Sequence, residues 1–186
     1  MKYEFTGEVK VVFGVSLKRI RALATIAGVV SAGDVGGWIE SEKNLSQVSG
    51  NAWVSGDAWV YGNAWVSGDA QVSGNAQVSG NAQVYGDARV SGNAQVYGDA
   101  RVYGNAQVYG DARVSGDAQI VWFSKVGRDN GTLTVFKDKD GQLLATRGCF
   151  IGTIDAFLSK SETEHDDKTH LEYRLLIEVA YSRLTK

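Results

Sequence analysis

The sequence contains no proline, one cysteine (Cys149) and two histidines (His165 and His170) in 186 residues. A lone cysteine excludes an intramolecular disulfide framework and fits a reducing, cytoplasmic compartment. No uninterrupted apolar run is long enough to span a bilayer, and the opening Met1-Lys2-Tyr3-Glu4-Phe5 lacks the apolar core of a signal peptide. An excess of one charge is also lacking. Lys and Arg total 19 against 21 for Asp and Glu, a net charge of -2, so neither duplex nucleic acid nor a membrane is an expected partner. Between Val48 and Gln119 there is neither histidine nor threonine.

That same stretch is one hexad written twelve times: Val, Ser or Tyr, Gly, Asn or Asp, Ala, then Trp, Gln or Arg. It runs from Val48-Ser49-Gly50-Asn51-Ala52-Trp53 to Val114-Ser115-Gly116-Asp117-Ala118-Gln119. A short fixed period is the mark of a solenoid, in which each unit buries its apolar face only against the next. Alternation along Ala52-Trp53-Val54 points Ala and Val inward and Trp outward. The Gly-Asn or Gly-Asp pair supplies residues that turn with φ > 0. Three hexads per triangular coil give about four coils, a shaft of roughly 19 Å at strand spacing. Eighteen-residue stacking predicts three outward columns: Trp53, Gln71, Arg89, Gln107; Trp59, Gln77, Gln95, Arg113; and Trp65, Gln83, Arg101, Gln119. The three tryptophans then ring the first coil, one per face.

The flanks read as caps. Glu8–Phe13 and Val15–Leu23 form an expected β-hairpin around Gly14. Gly33-Asp34-Val35-Gly36-Gly37 matches no phosphate-binding fingerprint and is expected to feed Trp38 and Ile39 into the first coil. Asn44-Leu45-Ser46-Gln47 reads as a degenerate hexad leading into Val48. Past Gln119, Ile120 keeps the valine position, and Val121-Trp122-Phe123 closes the shaft with bulk. Two strands, Gly131–Lys137 and Gln142–Phe150, flank the Asp140-Gly141 turn. A helix opens after Thr153 as N-cap. After a polar loop from Ser161 to Lys168, a second helix runs from Leu171 to Leu184. That helix carries two apolar stripes, one with Tyr173, Leu176, Ile177, Ala180 and Leu184, the other with Leu171, Leu175 and Val179. The division is therefore an N-terminal β cap (1–40), a β-helix (41–121) and an α+β module of a β-hairpin and two helices (122–186).

The hexads resemble those of the left-handed parallel β-helix of hexapeptide-repeat proteins, which implies a mainly β fold. Arg19-Ile20-Arg21-Ala22-Leu23, Gly33–Glu40, Asn44-Leu45-Ser46 and the tail Arg147–Phe157 are similar to the flanks of uncharacterised hexapeptide-repeat proteins of bacteriophages and prophages. This resemblance implies a phage or prophage origin, a host-cell cytoplasmic location, and no catalytic residues to carry over.

Hexapeptide acyltransferases are trimers that use a histidine as general base. The hexads here hold none, and the long loop that interrupts such shafts is missing, so an enzyme is not expected. Cys149 has no base beside it in sequence and reads as a half-buried strand cysteine. Glu164-His165-Asp166-Asp167 with His170 lacks a metal spacing and reads as a solvated loop; no metal or cofactor is expected.

Binding remains. Trp53, Trp59, Trp65, Tyr85, Tyr97, Tyr103 and Tyr109 on the shaft, with Leu171, Leu175 and Val179 on the last helix, are the expected interface. Aromatics on all three faces suit a homotrimer. The helix N-terminus at Gly152-Thr153, with Arg147 nearby, is the expected site for a small anionic ligand. The expected role is non-catalytic binding of a phosphorylated or nucleotide ligand, or of a host protein, in counter-defence. The alternative is a structural spacer associated with a virion or tail.

Overall fold

The computed structural model describes residues 1–48, 50–116 and 119–185; Ser49 of the first hexad, Asp117 and Ala118 of the last, and Lys186 lie outside the described residues. The protein is mainly β. A parallel β-solenoid of about four turns stands between a small N-terminal strand region and a C-terminal module ending in a helix pair.

The shaft strands are β4 (Trp53–Val54) to β14 (Arg113–Val114), each two residues long and recurring every six residues. They stack in parallel at a spacing of eighteen residues, Trp53 on Gln71, Trp59 on Gln77 and Trp65 on Gln83. Every described repeat Ala and Val from Ala52 to Val114 is at most 1% exposed. The interior is thus a column of small and β-branched side chains, all that so narrow a prism admits. Two of the three corners carry amide ladders. Asn63 donates to Asn81 (3.1 Å) and Asn81 to Asp99 (2.9 Å), while Asn75 donates to Asn93 (3.2 Å) and Asn93 to Asp111 (3.0 Å). Each ladder runs donor to acceptor and ends on a carboxylate, which can only accept.

The stacking register of the N-terminal end differs from the expected one. Val48, expected inside, is 95% exposed. Ile39 pairs with Val60 and Leu45 bridges to Val66, both fully buried, so the offset there is 21 residues (60 minus 39) rather than 18. The solenoid therefore begins at β3 (Val35–Ile39), and three extra residues loop out between Leu45 and Trp53. The loop is clamped by Gln47, whose amide accepts from Lys2 N (2.8 Å) and donates to Tyr3 O (3.0 Å). The hairpin of β1 (Tyr3–Val12) and β2 (Val15–Ala22) extends one face of the shaft into a seven-stranded sheet. Its turn has positive φ at both Phe13 (51°) and Gly14 (79°), which matches the twist of the flanking strands. Gly36 and Gly37 are packing glycines. A Cβ on Gly36 would stand 2.7 Å from Ile20, and one on Gly37 2.7 Å from Ala58 O.

At the other end, the expected hairpin is a four-stranded antiparallel sheet. Its strands are β15 (Ile120–Val126), β16 (Gly131–Lys137), β17 (Leu143–Arg147) and β18 (Phe150–Thr153), in that order. Trp122 and Phe123 lie on β15, a strand the sequence reading did not propose. The expected strand over 142–150 is broken by Gly148 (φ 59°), and Cys149, expected half-buried, is exposed in the turn. The sheet caps the last coil. Phe136 plugs the interior, Thr146 Oγ1 donates to Gln107 O (2.9 Å), and Gln107 N donates to Thr134 Oγ1 (3.1 Å).

Helices α1 (Ile154–Glu164) and α2 (Asp167–Leu184) pack on this sheet. The polar loop expected over 161–168 shrinks to His165 and Asp166, because Asp166 is an N-cap whose carboxylate accepts from Thr169 N (2.7 Å).

Candidate functional site

A cavity of about 260 Å³ opens in the C-terminal module where the end of β17 meets α1 and α2. Phe150, Phe157 and Tyr173 form its aromatic wall; Phe157 lies 5.4 Å from the Phe150 ring centroid and 5.1 Å from that of Tyr173. Arg147, Lys160 and His165 bring its basic nitrogens, Asp129 and Glu164 its carboxylates.

Arg147 is set in place by its surroundings. Its Nε donates to the Tyr173 hydroxyl (3.1 Å) and its Nη2 to Val126 O (3.3 Å). Two glycines make room for this pair. A Cβ on Gly131 would fall on the Arg147 guanidinium, and a Cβ on Gly127 on the Tyr173 hydroxyl. The carboxylates face other cations: Asp129 lies 3.4 Å from Arg128, and Glu164 3.6 Å from Lys160. Arg147 forms no ion pair among the described residues. Below the rim, buried Ser161 meets His170 Nδ1 at 3.2 Å.

Of the three residues expected to bind an anion, only Arg147 lines the cavity. Gly152 and Thr153 do not. Thr153 spends its hydroxyl on capping α1, accepting from Ala156 N (3.2 Å), and a Cβ at Gly152 would meet the Phe150 ring at 2.9 Å. The cause is strand reversal: Arg147 pairs with Phe150, and Thr153 lies three residues farther along β18, opposite Leu144. Sequence reasoning missed Lys160, Phe157 and Tyr173. The i, i+4 pair Lys160–Glu164 was the available signal, hidden because that segment read partly as loop.

The expected interface residues scatter. Trp53 is 2% exposed, packed under the N-terminal cap, so no ring of exposed tryptophans exists. Trp59 is half-buried beneath Phe13, at a centroid distance of 6.1 Å. Lys10 reaches over Trp38 (4.3 Å), and its burial there pulls the ammonium pKa down. Trp65, Tyr97 and Tyr103 are exposed. Tyr85 stacks on Tyr103 (5.1 Å), which meets Trp122 edge-on at 4.5 Å. Tyr109 is half-buried, and burial pushes its phenol up. Leu171, Leu175 and Val179 are exposed on α2. Among the described residues, no helix is long and apolar enough to cross a membrane.

The family model described as YdcK beta solenoid repeat matches residues 46–62, 58–74, 82–98, 94–108 and 106–120. These stretches lie almost wholly in the shaft, which is a β-solenoid repeat by sequence as well as by geometry. No curated protein matches the chain.

Proposed function

We propose that the protein is a non-catalytic binder that holds a small phosphorylated ligand of nucleotide type in the cavity of its C-terminal module. The observation that carries this reading is Arg147, a positioned guanidinium without a carboxylate partner at the mouth of an aromatic-walled cavity. Arginine held in this way presents its remaining N–H groups to a phosphate as a planar fork. The Phe150 and Phe157 rings supply a surface for a base or sugar. A cavity of about 260 Å³ sits just below the usual ligand-pocket range of about 300–1,000 Å³, which favours a mononucleotide over a longer chain. The lining residues named here all come from one chain. The likeness of the flanks to phage and prophage proteins supports a setting in an infected cell, where capture of a signalling nucleotide would blunt a host defence.

Isothermal titration calorimetry with adenosine and uridine monophosphates tests this reading. Saturable binding is expected, weakened at least about 10-fold by Arg147→Gln, since one charged hydrogen-bonding group is worth about 1.5–3 kcal/mol. Tyr173→Phe keeps the ring but frees Arg147 Nε, and is expected to weaken binding less than Arg147→Gln does. Absence of binding to either nucleotide and to inorganic phosphate overturns the proposal. A second reading, a rigid spacer in a virion or tail, draws support from the uninterrupted ladder of the shaft; co-purification with particles would favour it.

A further inference from the structure

Besides Arg147, the cavity holds a second cation that is free to change partner. Lys160 lies one turn of α1 beyond Phe157, the ring that packs on Phe150 at 5.4 Å. The Lys160 ammonium stands 5.9 Å from the Phe150 ring centroid. Phe150 is in turn the direct cross-strand partner of Arg147, so the two side chains leave the sheet on one face with Cβ atoms about 5 Å apart. Arg147 and Lys160 therefore meet at one ring, and all three residues line the cavity. The two cations are held differently. Arg147 is fixed by the Tyr173 hydroxyl and Val126 O. Lys160 pairs with Glu164 at 3.6 Å, the side chains being 52% and 55% exposed. An ion pair so open to water holds its partners weakly, and the lysine is able to leave it for a stronger anion.

We propose that Lys160 is the second phosphate-binding cation of this cavity and selects a phosphomonoester over a phosphodiester. The inference rests on the binding role given to Arg147 above. A phosphomonoester carries a charge of about −2 once its second proton is lost, near pH 6. A phosphodiester, a cyclic mononucleotide included, has a single ionised oxygen. Arg147 alone balances the diester, whereas Arg147 with Lys160 balances the monoester. The fixed planar guanidinium orients the phosphate, and the flexible ammonium follows its extra charge. Glu164 is then a competitor, which holds the ammonium until a phosphate draws it away. The other lining carboxylate, Asp129, lies 3.4 Å from Arg128 and does not compete for Lys160 in this way.

Isothermal titration calorimetry at about pH 8, where the monoester is fully ionised, tests the proposal with adenosine monophosphate and cyclic adenosine monophosphate. Lys160→Gln is expected to weaken binding of the monoester at least about fivefold and of the cyclic diester less than about twofold. Differences in ligand shape are common to both proteins and cancel from that comparison. Glu164→Gln is expected to bind the monoester at least about twofold more tightly, and to lose most of that gain when combined with Lys160→Gln. Both side chains are exposed, so unchanged melting temperatures are expected. Equal weakening of the two ligands by Lys160→Gln, no weakening of the monoester, or no gain from Glu164→Gln overturns the inference. If Arg147→Gln still weakens the monoester in that case, the proposed function stands without it. A wild-type chain that binds no monophosphate overturns both.

Discussion

At the scale of single residues, the shaft is governed by how closely one coil follows the next. Gly86 has φ +68°, and a Cβ there would stand 2.9 Å from Gly104 N of the next coil. Gly110 has nearly the same φ, +67°, but its Cβ would meet only the flexible end of Ile151. Both alanine variants bear the left-handed strain of about 1–2 kcal/mol. Gly86→Ala is expected to cost measurably more in urea denaturation, and equal costs would mean that backbone stacking does not limit the corner. Inside, Ala82→Leu is expected to destabilise by about 1–3 kcal/mol, because Ala82 is fully buried among the repeat Ala and Val side chains and the added methylenes overpack them. On the corner ladder, Asn81→Asp sets one carboxylate over that of Asp99 and removes a donor. The expected cost is about 1 kcal/mol at neutral pH, reduced by salt or by acid. A thermal melt indifferent to both would show that the ladder contributes nothing.

Among the secondary-structure elements, α2 depends on its cap. The Asp166 carboxylate accepts from Thr169 N, and that bond, reinforced by the Thr169 hydroxyl, holds its pKa below the ordinary 3.8. A depressed folded pKa means the contribution is present above the unfolded value and is lost as pH falls through the folded one. Helical signal is therefore expected to hold down to about pH 4 and then decline. Asp166→Asn, which keeps the cap without titrating, should flatten that part of the profile; an unchanged profile would assign it to other carboxylates. This helix start was legible as Asp-x-x-Thr, yet the neighbouring charges read as loop. The exposed stripe of Leu171, Leu175 and Val179 was legible from periodicity alone. Strand β15 was not, because Trp122 and Phe123 carry the bulk expected of any cap.

For the molecule as a whole, repetition made the solenoid readable and hid its ends. Eighteen-residue stacking was visible in Trp53, Gln71 and Arg89, but nothing local in Val48 reveals that three residues loop out and leave it 95% exposed. That offset depends on Ile39 and Leu45 filling interior positions, a tertiary fact. The cavity was legible only at Arg147. Its other walls come together because β17 turns back at Gly148 and both helices fold over the sheet, contacts between residues as far apart as Arg147 and Tyr173. Under the proposed function, the shaft is the stem and the small C-terminal module is the binder.

Native mass spectrometry of the protein, purified from the cells that produce it without unfolding, tests the central claim most directly. Each wild-type chain is expected to carry a dissociable adduct of nucleotide size, absent from Arg147→Gln at unchanged melting temperature. Clean chains from both proteins, with no adduct formed when adenosine or uridine monophosphate is added, would contradict it.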